Sequence, residues 1–295
     1  MTLKFAVVRE DFELELALCR ANAARRVLTV ASGGCSALAL KHAIPSLDVH
    51  AFDLNPDQLA HGQHKAQRTG EDLSQGGEFE KLFRVLRHAL IEFVMPVAEL
   101  EAFFSAATDR GALLSKWRAS PYWAAAFEVT FTESLLHAMF GPDATRHATR
   151  GSYPAYFQRV FERGLARSDA ATNPYLQHVL LQRYLDPAPF LAAGPKLDVT
   201  WHLASLPAVP SLESFDAVST SNIFDWSDET LVSDWAGALR ALKPGSLVVW
   251  RQLNNPRDWR PHFAPEFEED LALSAAWTAR ERALFYERVT VVRRR

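Results

Sequence analysis

Short apolar runs rich in β-branched residues alternate with helix-forming stretches near the start of the chain. The run 27–30 is followed by two glycines, a helix-forming stretch 36–43 and a second apolar run 48–52. Apolar runs this short, bounded by glycine or proline, are typical of buried parallel strands. The pattern therefore predicts a strand, turn, helix and strand, with Asp53 at the end of the second strand.

Helical periodicity dominates the middle of the chain, and strands return near its end. The predicted helices are 12–24, 57–68, 78–94, 97–107, 123–140, 153–166, 175–185 and 229–242. The later predicted strands are 197–203, 215–221 and 246–252, and the segment 267–295 predicts a helix followed by two antiparallel strands. This order predicts an α/β fold with a Rossmann-like sheet. Its domain would comprise 1–70 and 196–295, with a helical insertion, 71–195, between the second and third strands.

A glycine turn follows the first predicted strand, at Ser32-Gly33-Gly34. Glycine lets the backbone turn sharply and approach a ligand where a Cβ would collide. Asp53 lies about twenty positions later, where a carboxylate can accept hydrogen bonds from ribose hydroxyls. The turn has two glycines and not the three of the dinucleotide fingerprint, which favours S-adenosylmethionine over a dinucleotide. The alternative is an ordinary βαβ unit that binds no nucleoside.

Further candidate cofactor contacts lie at other predicted strand ends. Leu54 and Asn55 directly follow the second strand, and Ser221 and Asn222 end the fourth. Carboxyl ends of parallel strands surround the ligand in open α/β sheets. Arg251, at the end of the fifth strand, is predicted to pair with the cofactor carboxylate, and a surface ion pair is the alternative.

The helical insertion is predicted to hold the acceptor, because it would overhang the carboxyl ends of the strands. Its aromatic residues indicate a pocket with an apolar wall, or else they only pack the helices together; they are Trp117, Tyr122, Trp123, Phe127, Phe131, Tyr153, Tyr156 and Phe157.

Composition narrows the function classes. The net charge of −3 and pI near 6.4 give no electrostatic case for nucleic acid as a partner. The two cysteines cannot build a disulfide framework or a cysteine zinc site, and His61 and His64 are interpreted as a solvated face, so no metal is predicted. The sequence predicts no signal peptide and no membrane-spanning segment, which leaves peripheral membrane contact possible and indicates a cytoplasmic protein.

Four segments together resemble a known family: VLTVASGG (27–34), FDLNPDQL (52–59), NPYLQHVLLQRY (173–184) and STSNIFDW (219–226). In order and spacing they resemble the S-adenosylmethionine:diacylglycerol 3-amino-3-carboxypropyltransferases of betaine-lipid synthesis and their uncharacterised relatives. The chain departs from that pattern after the glycine turn, where Cys35-Ser36 replace the usual acidic residue and asparagine. The resemblance implies a class I methyltransferase-like fold, transfer of the aminocarboxypropyl arm of S-adenosylmethionine, and release of methylthioadenosine.

These expectations give a mechanistic hypothesis. The acceptor hydroxyl would belong to diacylglycerol, as in the family, or to a soluble molecule such as a phenolic precursor of a natural product. Asn173, Tyr175 and Tyr184 would position the arm and the acceptor. Asp225 is the first candidate for the base that removes the acceptor proton, and His202 or His137 the second.

Two other functions remain open on the sequence. A plain methyltransferase of a small molecule is one, because the fold does not fix which group of S-adenosylmethionine moves. A catalytically silent cofactor-binding protein is the other, because Cys35-Ser36 depart from the family pattern. The sequence leaves the identity of the acceptor and the oligomeric state open.

Overall fold

Seven strands form a single sheet in the computed structural model, which describes residues 2–105, 109–186, 188 and 191–295. The strands are β1 (Arg26–Val30), β2 (Asp48–Asp53), β3 (Thr200–Leu203), β4 (Ala217–Ser219), β5 (Leu247–Gln252), β6 (Phe267–Glu269) and β7 (Arg288–Arg294). Their order is β3-β2-β1-β4-β5-β7-β6, and β7 runs antiparallel to both of its neighbours while the other six are parallel to one another. The fold is thus mixed α/β with a mostly parallel sheet, compatible with a Rossmann-like arrangement as predicted.

Helices cover the sheet and fill the long segment between β2 and β3. They are α1 (Glu13–Ala21), α2 (Cys35–Ala43), α3 (Pro56–Ala66), α4 (Glu78–Phe93), α5 (Val97–Phe103), α6 (Arg110–Arg118), α7 (Tyr122–Thr130), α8 (Glu133–Phe140), α9 (Tyr153–Leu165), α10 (Pro174–Leu181), α11 (Glu229–Leu239), α12 (Arg260–Phe263) and α13 (Leu271–Arg280). Helices α4 to α10 all lie between β2 and β3 in the chain. None of the helices in the described ranges has the length and apolar composition needed to cross a membrane.

The alternation of side chains along the strands builds a core on each face of the sheet. Val27, Val49 and Ala51 pack on one face, whereas Leu28 and Phe52 pack on the other. A third core belongs to the helices between β2 and β3 and is dominated by aromatic rings. Phe157 of the helical core, and Val8 and Phe52 of the two cores on the sheet, lie around the carboxyl ends of the strands.

Three predicted elements differ from the structure. The single helix predicted over 123–140 is two helices, because the Thr132 side chain accepts a hydrogen bond from the backbone N–H of Leu135 and begins α8 anew. The C-terminal prediction of a helix followed by two antiparallel strands is wrong, because β6 precedes α13, which begins at the capping residue Asp270. The predicted helix 97–107 ends at Phe103, and positions 106–107 lie outside the described residues.

Candidate functional site

A cavity of about 340 Å³ lies at the carboxyl edge of the sheet. Its volume falls in the range of about 300–1,000 Å³ that small-molecule sites occupy. The sheet contributes residues at or just after the ends of four strands: Val30, Ser32, Phe52, Asp53, Ala204, Ser205, Ser221 and Asn222. The helices between β2 and β3 contribute a mainly apolar wall: Phe79, Leu136, Phe140, Ala144, Tyr153 and Phe157. The cavity therefore joins a polar strand edge to an apolar helical wall.

Residues 3–10, here called the N-terminal strap, form a further wall. Lys4, Phe5, Val8, Arg9 and Glu10 of the strap line the cavity. Gln58 of α3 holds the strap to the glycine turn: its Oε1 accepts from the backbone N–H groups of Lys4 (2.6 Å) and Phe5 (3.1 Å), and its Nε2 donates to the carbonyls of Phe5 (2.9 Å) and Ser32 (2.6 Å). The strap is therefore a wall of the cavity, held in place by hydrogen bonds to α3.

The carboxylate of Asp53 is well placed for a ligand. Its Oδ2 accepts a hydrogen bond from the backbone N–H of Ser32 (3.1 Å) and its Oδ1 from that of Asn55 (2.9 Å). Burial raises the pKa of Asp53, and these backbone donors act in the opposite direction. Since each carboxylate oxygen can accept more than one hydrogen bond, the side chain can also receive hydroxyl donors from within the cavity.

Six of the predicted cofactor contacts are brought together around the cavity. Four follow the ends of β1 and β2, and two follow β4: Ser32, Asp53, Leu54, Asn55, Ser221 and Asn222. Leu54 is largely exposed, and Asn55 also caps α3 by accepting from the backbone N–H of Asp57 at 3.0 Å. The structure thus gathers these residues at one edge, and their contact with a cofactor stays a prediction.

The two glycines of the turn do not line the cavity. A Cβ on Gly33 would lie 2.8 Å from the backbone of Val7 in the strap, and a Cβ on Gly34 would lie 2.9 Å from Cα of Gly62 in α3. Gly34 also has a positive φ of 79°. The positions that a side chain would occupy here are therefore filled by the protein's own backbone, and the contact of these glycines with the methionine moiety stays a prediction.

Arg251 does not reach the cavity either. Its side chain is fully buried, with Nε 2.9 Å from Glu281 and NH1 2.6 Å from Glu15 and 3.4 Å from Glu10. NH2 donates to the carbonyl of Asp11 at 3.0 Å and to Glu15 at 3.0 Å. Both interpretations of Arg251, as a cofactor contact and as a surface ion pair, are wrong, because its donors are committed to a buried cluster.

The candidate bases lie outside the residues that line the cavity. Asp225 is buried, and its oxygens accept from the backbone N–H of Leu253 and the Nδ2 of Asn255, each at 2.9 Å. Burial raises the pKa of Asp225 to about 7. His202 lies 2.8 Å from His50, and burial together with His50 and Arg26 lowers its pKa.

His137 contacts the hydroxyl of Thr145 at 2.7 Å. It is not among the residues that line the cavity, although its helical neighbour Leu136 is. None of the three candidate bases is among the residues that line the cavity, and the role of each as the base stays a prediction.

The predicted acceptor-binding residues Asn173, Tyr175 and Tyr184 lie away from the cavity, and Tyr175 contacts the strap. Asn173 caps α10 by accepting from the backbone N–H of Tyr175 (2.9 Å), and its Nδ2 donates to the carbonyl of Arg282 (2.9 Å). The Tyr175 hydroxyl donates to the carbonyl of Glu10 at 2.7 Å, and the ring of Tyr184 stacks on His178 with centroids 4.9 Å apart. None of these three residues lines the cavity, and their contact with the arm and acceptor stays a prediction.

Most of the aromatic residues predicted for the pocket pack the helices instead. Trp117, Phe127, Phe131 and Tyr156 are fully buried in the helical core, and only Tyr153 and Phe157 of the eight line the cavity. The sequence analysis missed the strap and also several lining residues from other segments, among them Ser205, Trp235 and Tyr286. The strap alone carried a signal in the sequence. Its signal was the run Arg9-Glu10-Asp11, three charges beside a short apolar stretch, all of which the structure buries.

Within the described ranges, no group of three or more His, Cys, Asp or Glu side chains is arranged to hold a metal ion. Comparisons with known proteins give no further guide, since no family model, no curated protein and no solved structure matches the chain.

Proposed function

We propose that this chain binds S-adenosylmethionine in the cavity and transfers its 3-amino-3-carboxypropyl group to an acceptor hydroxyl: the carbon–sulfur bond breaks, a carbon–oxygen bond forms, and methylthioadenosine and the hydroxyl proton are released. The observation that carries the proposal is the carboxylate of Asp53, which lines the cavity at the end of β2 and is fixed by two backbone N–H donors. A carboxylate in this place is suited to the two hydroxyls of a ribose.

The position of the cavity supports a nucleoside ligand. The strand order reverses between β1 and β4, and the cavity lies outside the carboxyl ends of these strands, where ligands bind in open α/β sheets. The order with an antiparallel β7 between β5 and β6 is compatible with the class I methyltransferase-like fold that the sequence resemblance implies. Ser205 and Asn222 supply further polar groups to the cavity, and Leu54 and Phe52 supply apolar surface.

The proposed co-substrate supplies the reactivity, because its sulfonium makes the attached carbons electrophilic. The chain's part is to bind, to orient and to exclude water. Asp53 would fix the sugar, and the wall of Phe79, Phe140 and Phe157 would keep water from the acceptor. An acceptor with an apolar or aromatic body fits this wall best, which covers both diacylglycerol and a phenolic molecule.

Calorimetry tests the binding half of the proposal. The chain is expected to bind both S-adenosylmethionine and methylthioadenosine, because both carry the ribose. Asp53→Ala should weaken both affinities by about 10-fold or more, since hydrogen bonds to a charged group contribute about 1.5–3 kcal/mol. Asp48→Ala is the matched control: it removes a half-exposed carboxylate at the opposite end of β2 and should leave both affinities unchanged.

Mass spectrometry tests the reaction half. Incubation with S-adenosylmethionine and either diacylglycerol vesicles or simple phenols should yield methylthioadenosine. Formation of S-adenosylhomocysteine instead would show a methyltransferase, and measurable binding with neither product would favour a silent cofactor-binding protein. Absence of binding to both nucleosides would refute the proposed function.

A further inference from the structure

Two neighbouring residues of the strap bring opposite charges to the cavity. Arg9 and Glu10 both line it, and they are only 5% and 6% exposed. Burying a charge is costly unless partners compensate for the lost water. The present partners of these two side chains therefore indicate which charges a ligand would have to supply.

The guanidinium of Arg9 is incompletely paired. Its NH2 lies 3.4 Å from Oε1 of Glu80 and 3.2 Å from Nδ1 of His178, and its Nε is buried with no hydrogen-bond partner. The group lies over the ring of Phe83, with Cζ 4.8 Å from the centroid. Burial lowers the pKa of Arg9, because its present partners do not fully offset the loss of hydration of the cation. An anionic group in the cavity would supply it.

The carboxylate of Glu10 lacks a cationic partner of its own. Its Oε1 accepts from the hydroxyls of Ser221 and Tyr286, which also line the cavity. Its one cationic contact in the cluster is Arg251 at 3.4 Å, and that guanidinium is closer to Glu15 (2.6 Å) and Glu281 (2.9 Å). Three buried carboxylates thus share one cation, and Glu10 is the member that borders the cavity.

We propose that Arg9 and Glu10 together recognise an α-amino-acid group, with Arg9 receiving its carboxylate and Glu10 its ammonium. An α-amino acid carries both charges on one carbon, so neighbouring residues of opposite sign on one segment match it. The inference rests on the proposed function, in which this group is the amino-acid arm of S-adenosylmethionine. It assigns to Arg9 the contact that Arg251 is too buried to make.

Three ligands separate the two contacts: S-adenosylmethionine, its decarboxylated analogue, and methylthioadenosine, which lacks the whole arm. By calorimetry the unaltered chain should bind S-adenosylmethionine about 10-fold or more tightly than the decarboxylated analogue, since that analogue leaves Arg9 unpaired. Arg9→Met should bring this ratio close to one and leave the methylthioadenosine affinity within about two-fold.

Glu10→Gln should weaken S-adenosylmethionine and the decarboxylated analogue by similar factors of about 10, because both keep the ammonium. Methylthioadenosine should again be unaffected, which also verifies that the variant is folded. Arg20→Met removes an exposed arginine on α1 and should reproduce the unaltered chain throughout. If Arg9→Met does not fold, Arg9→Lys provides the test, because it keeps the charge and removes the Nε donor; the ratio should then still fall.

The possible failures are distinguishable. If both nucleosides bind but the Arg9 variants keep the discrimination against the decarboxylated analogue, the assignment of Arg9 is refuted and the proposed function stands. If Glu10→Gln changes no affinity, the assignment of Glu10 is refuted in the same way. If neither nucleoside binds the unaltered chain, the proposed function and this inference fail together.

Discussion

Gln58 offers a test of the strap that needs no knowledge of the ligand. Its side chain is 2% exposed and makes four hydrogen bonds, three to the backbone of Lys4 and Phe5 and one to the carbonyl of Ser32. Gln58→Ala removes all four at once without adding bulk. The strap would keep its other attachments, among them the backbone N–H of Ala6 donating to Glu80 at 2.8 Å.

The expected magnitude follows from these contacts. A hydrogen bond within a protein contributes about 0.5–1.5 kcal/mol net, so four of them give about 2–6 kcal/mol. The lower end applies here, because water can reach the freed backbone groups once the strap lifts. A loss of about 2 kcal/mol in the free energy of local opening corresponds to about 30-fold faster amide exchange.

Hydrogen exchange of the backbone amides of Lys4 and Phe5 measures this directly, because in the intact chain both donate to Gln58. Gln63→Ala is the matched control, since Gln63 is an exposed glutamine on the same helix. Gln58→Ala should also weaken any ligand of the cavity, because the strap is one of its walls. Unchanged protection of the two amides in Gln58→Ala, measured beside Gln63→Ala, would refute the reasoning.

Three further predictions concern stability. Arg251→Met should lower the free energy of unfolding by about 3–5 kcal/mol, seen as a fall in the denaturant midpoint, because it leaves three buried carboxylates without their shared cation. Asp225→Asn should gain stability relative to the unaltered chain as pH rises from about 4 to about 7. Burial raises the pKa of Asp225 to about 7, so the protonated side chain favours the folded state fully below the unfolded pKa. That contribution to the free energy of unfolding is lost as pH rises through the interval, and asparagine does not titrate. Gly33→Ala should destabilise the chain by about 1–3 kcal/mol, because its Cβ would lie 2.8 Å from the strap backbone.

The Asp225 and Gly33 predictions each have a control. Asp234→Asn alters an exposed carboxylate on α11 and should show no such pH-dependent difference. Gly237→Ala is the control for Gly33→Ala. Gly237 lies in α11 with open space around it, so this substitution should stabilise the chain by about 0.5–1 kcal/mol. A neutral effect of Arg251→Met, a flat pH response of Asp225→Asn, or a stabilising Gly33→Ala would contradict the corresponding argument.

The central strands could be predicted from the sequence because their signal is local. The runs predicted at 27–30, 48–52 and 246–252 correspond to β1, β2 and β5, whose central residues are buried and therefore form short, largely apolar runs. β6 has only three residues, two of them glutamates, so it carries no such pattern. The edge of the sheet was accordingly where the prediction went wrong.

The site was only half predictable for the same reason. Asp53 and the residues after β4 could be located because strand ends in a parallel sheet converge. The strap could not, because its walls depend on contacts between Glu10 and residues more than 200 positions away, such as Ser221 and Tyr286. Local patterns carry no information about such pairs, and adjacent charges such as Arg9-Glu10-Asp11 ordinarily lie at a solvated surface.

The burial of Arg251 against Glu10 and Glu15 also bears on how the molecule assembles. These partners are separated by 241 and 236 positions, so the contact joins the strap and α1 to a strand that is distant in the sequence. Loop closure over such lengths must precede any gain from the contact, which slows folding. Until β5 has packed against α1, the carboxylates of Glu10 and Glu15 remain without their shared cation, so the wall of the cavity that contains Glu10 depends on this distant contact.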